Sequence, residues 1–154
     1  MESDSGKSVD ARGALDDIRR ARGWVSERVG SPWWFHGGLG LLVAQQVVVN
    51  GVAEGLWTLV SFGVLVLGAT VLVLCARRAT GVTPTWPRGP RANALMAVRM
   101  MVALGAIWGA ALLGREAVGA VAALAVGSLL ATVLLGFAYD SALRQDIAEG
   151  SDAG

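Results

Sequence analysis

The chain has 154 residues, 54% of them hydrophobic and 16% charged, with a formal net charge of +1. That length allows one domain, and with so small a net charge no nucleic-acid partner is expected from bulk electrostatics. A single cysteine and a single histidine exclude an intramolecular disulfide, a cysteine-rich metal site and most zinc sites or nucleophile triads.

The charges are unevenly placed. Nearly half of them precede Pro32, and between Pro32 and Leu74 only Glu54 is charged. A polar head followed by apolar segments is the pattern of a membrane protein, not of a soluble core. Residues 1–9 are expected to be disordered. Residues 10–29 predict an amphipathic helix, because Ala14, Leu15, Ile18, Ala21, Val25 and Val29 recur at three- and four-residue steps with charges between them. Trp24 borders that strip and Gly30 ends it. Such a helix lies on a membrane surface, covers a partner protein, or packs on the bundle as a lead-in. The first apolar run starts only at Trp33 and no small-residue cleavage site follows, so no secretory signal is expected.

Four apolar runs follow. A helix rises about 1.5 Å per residue and the hydrocarbon layer is about 30 Å thick, so a crossing takes about twenty residues. Residues 34–52 form the weakest run, since they carry His36, Gln45, Gln46 and Asn50. Residues 57–75 and 118–139 are free of charge, and residues 95–113 are interrupted once, by Arg99. A bilayer leaves no water for backbone groups, so each run is helical. Ser31 is expected to cap span one, with Pro32 at its first position. The connection 76–94 holds the proline-rich segment TGVTPTWPRGP, which reads as extended and non-helical over residues 80–90. The tail, 140–154, is expected to prolong span four by a turn or two and then fray. The fold expected is therefore all-α: an integral membrane bundle of four transmembrane helices with an N-terminal amphipathic helix on the cytoplasmic side or at the interface.

Arginine and lysine set the direction. The head holds Lys7, Arg12, Arg19, Arg20, Arg22 and Arg28. The middle connection holds Arg77, Arg78, Arg88 and Arg91, and the tail holds Arg144. The connection around 50–56 has no basic residue, and the one around 114–117 has only Arg115. Both termini and the middle loop are thus expected in the cytoplasm. Trp33, Trp34 and Tyr139 would sit at the inner interface and Trp57 at the outer one, with Trp108 in the outer part of span three and Trp86 on the inner surface.

Ionisable groups inside a membrane are functional candidates. His36 is expected near the headgroups within reach of water. It is a ligand or proton-site candidate together with Arg99, whose side chain is expected to snorkel to phosphate. Haem would usually take a second strong ligand beside His36, and none stands out. Gln45 and Gln46 either bond between helices or join Asn50 and Glu54 in a polar cleft open to the outside. Small residues supply packing surfaces at Gly37 and Gly40, at Gly105 and Gly109, and along Gly119, Ala123, Gly127 and Ala131. There is no phosphate-binding glycine loop, no HExxH and no GxSxG, so no cofactor and no enzymatic activity are expected.

The stretch PWWFHGG, followed by the basic end of span two running into RRATGVTPTWPRGPRA, resembles a group of small four-span membrane proteins of high-GC bacteria. In that group a proline–tryptophan start precedes span one and an R-x-x-TG-V segment follows span two. The matching stretches here are residues 32–36 and 77–82, within a likeness that covers about 31–113. The resemblance implies membrane location and four-span topology, and no activity. Small multidrug-resistance transporters are of similar length, but their glutamate in the middle of span one has no counterpart, since Glu54 lies at the outer end. The fluoride-channel signature does not match HGGLG.

The function expected is that of a non-enzymatic accessory, scaffold or regulatory subunit in the plasma membrane. Its partners would be membrane lipid, a cytoplasmic or membrane protein bound through the head helix, and a second copy of the chain in a homodimer. The alternative is a small dimeric transporter or channel using Gln45, Gln46, Asn50 and Glu54.

Overall fold

A computed structural model describes residues 31–81 and 89–149. The helix expected at 10–29, and most of the proline-rich connection, lie outside the described residues. The elements are α1 (Trp33–Val52), α2 (Leu56–Thr80), α3 (Pro90–Leu113), a 3-10 turn (Arg115–Ala117) and α4 (Val118–Glu149). All four α-helices are long and apolar enough to cross a membrane, as expected of a multi-pass membrane protein.

Three helices outrun their apolar stretches. α2 continues past Cys75, α3 starts ahead of Leu95, and α4 continues far beyond Tyr139. Charge does not stop a helix in these places. Arg77 and Arg78 lie in the last turn of α2, where positive charge complements the helix dipole. α2 ends instead at Gly81, which takes the left-handed conformation (φ 67°) and donates its N–H to the Arg77 carbonyl at 3.0 Å, a glycine C-cap. α3 opens on Pro90 in its first turn, the position that tolerates a missing N–H.

The helices alternate in direction, as close contacts at glycines show. Gly38 of α1 meets Leu72 of α2, and Gly68 of α2 meets Leu42 of α1. Gly51 of α1 meets Val121 of α4, and Gly40 meets the Leu129 carbonyl and Val133. Gly109 of α3 meets Leu124 of α4. α1 packs on all three other helices and α4 packs on α1 and α3, while α2 has substantial contact with α1 alone. The arrangement is thus a three-helix core of α1, α3 and α4 with α2 laid along α1. At the two extremes, burial runs against hydropathy. α1 has the lowest hydropathy of the four and is 33% buried over its best span window; α2 has the highest and is 11% buried. A helix surrounded by protein can carry amides and a histidine, whereas one facing lipid must be apolar on nearly every side.

The core cluster is Val43 and Val47 from α1, Ala106 and Ala110 from α3, and Val121 and Ala125 from α4. The small-residue faces expected for packing are only partly used. Gly40 and Gly109 make close contacts, but Gly37, Gly105, Gly119 and Gly127 have nothing within 4 Å of where a side chain would start. Ala123 is exposed and Ala131 half-buried. α4 buries another face, made of Val121, Ala125, Ser128, Thr132, Gly136 and Asp140. The physical reason is polarity. Two rows of small residues run along α4, and the buried one also carries the hydroxyls and the carboxylate, which lipid cannot solvate.

α4 also organises the end where the arginines gather. Asp146 accepts the Ala92 N–H at 2.9 Å, supplying from another helix the cap that no side chain of α3's own N-terminus provides. Gly89 fits this arrangement twice over: its φ is 133°, and the Asp146 carboxylate stands where a side chain would begin. At the start of α1, Pro32 occupies the N-cap position and no side chain caps the helix. Ser31 is therefore not the cap that the sequence suggested. It donates its N–H to Asp140 at 3.0 Å and its hydroxyl to the same carboxylate at 3.4 Å.

Leucine at Gly51 or Gly136 is expected to destabilise the chain by about 1–3 kcal/mol through overpacking. Leucine at Gly119 or Gly127 is expected to leave the monomer's unfolding midpoint unchanged. Denaturation of the purified variants in mixed micelles checks both; equal losses at all four sites would contradict the packing described.

Candidate functional site

The buried polar groups fall into two clusters. The first lies at the arginine-rich end. His36 sits on the first turn of α1 with 1% of its surface exposed. It is not the water-accessible headgroup residue that its position in sequence suggested, because α4 covers it. Its ring packs edge-on against Phe35 (5.7 Å between centroids) and Phe137 (5.1 Å). Its Nδ1 edge lies against Gly136, where any side chain would collide with the imidazole. Nε2 lies 2.9 Å from Asp140 Oδ2, and since a carboxylate can only accept, Nε2–H is the donor. Asp140 is 6% exposed.

Arg99 completes the cluster from α3. It is 7% exposed, so the expected snorkelling to lipid phosphate does not occur; its guanidinium turns into the core. The register set by the Gly109–Leu124 and Ala92–Asp146 contacts brings Arg99 level with the turns of α4 around Asp140. There the carboxylate's negative charge acts on the guanidinium. Further along the same face of α4, Ser128 donates to the Ala125 carbonyl at 2.9 Å, and Thr132 is 2% exposed with no partner for its hydroxyl among the described residues.

The second cluster joins α1 to α2. Gln45 Nε2 donates to Ser61 Oγ at 2.6 Å, and Ser61 donates in turn to Gln46 Oε1 at 2.6 Å. This chain of bonds has one direction, since the serine's single proton goes to Gln46. Asn50 does not join it; its amide donates to the Gln46 carbonyl on its own helix at 3.1 Å. Glu54 lies outside, in the exposed turn, paired at 3.5 Å with Arg115 of the other turn. The four residues considered for a cleft are thus held in three separate interactions. The α1–α2 groove lined by Gly38, Leu42, Gln45, Leu67, Gly68 and Leu72 is apolar except at Gln45.

Among the described residues no group of three or more histidine, cysteine, aspartate or glutamate side chains could hold a metal ion. No family model, curated protein or solved structure matches the chain. What the clusters can do therefore rests on their own chemistry. The amide–serine chain is a helix–helix fastening. The histidine–aspartate–arginine cluster holds opposite charges and an imidazole in a buried setting.

Asp140 and Ser61 are the residues that reading the sequence missed. Asp140 follows Tyr139, where the apolar run ends, and so fell into the tail. A signal was present: Ser128, Thr132, Gly136 and Asp140 recur every four residues, a small and polar row on one helix face.

Removing the carboxylate in Asp140→Ala strands the His36 and Ser31 donors and leaves Arg99 without its nearby counter-charge. The expected cost is about 3–5 kcal/mol, against about 0.6–2 kcal/mol for Ser61→Ala. Unfolding equilibria in mixed micelles check the order; an Asp140→Ala cost no larger than that of Ser61→Ala would show the cluster to be solvated.

Proposed function

We propose that the chain is a multi-pass protein of the plasma membrane with both termini in the cytoplasm, acting as a non-enzymatic accessory, scaffold or regulatory subunit. The observation that carries this reading is where the polar groups go. Gln45, Gln46 and Ser61 bond to one another, and His36 bonds to Asp140. Glu54 pairs with Arg115. The glutamine–serine chain and the histidine–aspartate bond each join two helices. Most of α2, and the Gly119, Ala123 and Gly127 row of α4, are not covered by the other described helices, surfaces that suit lipid, a partner's helix or a second copy. Arg77, Arg78, Arg91 and Arg144 gather at one end of the helices, which supports a cytoplasmic placement of that end. A transporter using Gln45, Gln46, Asn50 and Glu54 is the weaker reading, since Ser61 occupies both glutamine side chains, Asn50 donates to the Gln46 carbonyl, and Glu54 pairs with Arg115.

The expected result of mild-detergent purification from the native host is a stoichiometric protein partner that deletion of residues 1–30 removes without impairing membrane insertion. Mass spectrometry of the co-purified material and reporter tags on both termini check it. A partner retained after the deletion, or tags reporting opposite sides, would count against the reading, and ion or dye flux that Glu54→Gln abolishes would favour the transporter.

A further inference from the structure

Three buried polar atoms at the arginine-rich end of the core have no hydrogen-bond partner among the described residues: Nδ1 of His36, Nη2 of Arg99 and Oγ1 of Thr132. They belong to α1, α3 and α4, at adjoining levels. Because Nε2 of His36 already donates to Asp140, a neutral imidazole leaves Nδ1 as a bare lone pair. The cluster then sums to zero, with Arg99 positive, Asp140 negative and His36 neutral. An imidazole whose other nitrogen is hydrogen-bonded to a carboxylate is a base with its counter-ion already in place. We infer that His36, Asp140 and Arg99 form a proton-binding site, in which a proton from solvent adds to Nδ1 and takes the cluster from neutral to singly positive.

Asp140 also holds Ser31, at the end of the bundle where the arginines lie. In the other direction Thr132, Ser128 and Gln46 are buried among the valines and alanines of the core. The groups that face or border the imidazole act with opposite sign. From α4 Asp140 holds the proton on, and Tyr139 lies beside it. From α3 Arg99 repels the proton. On α2 the charges nearest that end are Arg77 and Arg78, both exposed; Arg91 of α3 and Arg144 of α4 are exposed as well.

Proton uptake also has a mechanical side. Nδ1 lies against the backbone of Gly136, where a new N–H has no acceptor side chain. The hydroxyl of Thr132, one turn along the same face of α4, is unpartnered and can accept it once the ring or the first turn of α1 shifts. Protonation is therefore coupled to the seating of α1 on α4. This inference stands apart from the subunit reading, since it concerns the cluster alone.

The chain's single histidine makes the test direct: isotope-labelled imidazole nitrogens of the full chain, observed by magnetic resonance in phosphatidylcholine–phosphatidylglycerol vesicles. The expected spectrum shows one protonated and one bare nitrogen at about pH 8 and two protonated nitrogens at about pH 5. Asp140→Asn, which keeps an acceptor for Ser31, is expected to retain the bare nitrogen at the acid end. A bare nitrogen at the acid end in the unaltered chain would overturn the inference, as would identical behaviour with and without Asp140.

Discussion

Hydrocarbon offers a polar side chain no water, so each one carried into a membrane-spanning helix must find its partner across a helix interface or lie uncompensated. In this chain that requirement decides which helix goes where. α1 carries a histidine, two glutamines and an asparagine, and it is the helix with neighbours on the most sides. Ser61 is the one buried residue in the membrane-spanning stretch of α2 apart from Ala76 near its end, and it receives both glutamines. Asp140 receives His36. The apolar contacts of Val43, Val47 and Val121 fill the space between these fastenings. Since lipid tails are as apolar as valine, those contacts alone would hold the helices together only through close packing.

The same constraint accounts for the glycines. Gly38 and Gly68 each admit a leucine from the facing helix, which brings α1 and α2 close enough for Ser61 to bond both amides. Gly136 makes room for an imidazole ring, and without that room His36 could not lie flat enough on α4 to reach Asp140 one turn further on. Polar fastening and small-residue packing are thus one device: the glycine sets the separation and the hydrogen bond uses it.

How far this could be read from sequence differs with the feature. The four helices were legible, because an uncharged run of about twenty residues has few other uses. Their ends were less so, because Arg77, Arg78 and Arg91 extend helices past the apolar stretch instead of ending them. The buried face of α4 was misread. Gly119, Ala123 and Gly127 make a regular row, but regularity does not tell a protein-facing row from a lipid-facing one; the hydroxyls of Ser128 and Thr132 do. His36 and Arg99 stood out as ionisable groups in apolar surroundings, and the carboxylate between them did not, because it lies far away along the chain. Once the helices alternate in direction, the start of span one and the end of span four come to the same end, and a carboxylate there is the natural companion for the histidine.

The two clusters also differ in how far apart their members lie along the chain. Ser61 is 15 and 16 positions from its glutamine partners, whereas Asp140 is 104 from His36. Before α3 and α4 have been synthesised, α2 is the one described helix that α1 can pack against. The least apolar helix is therefore accompanied first by the most apolar one, whose serine can satisfy both amides at once. The histidine must wait for the far end of α4 before its carboxylate exists.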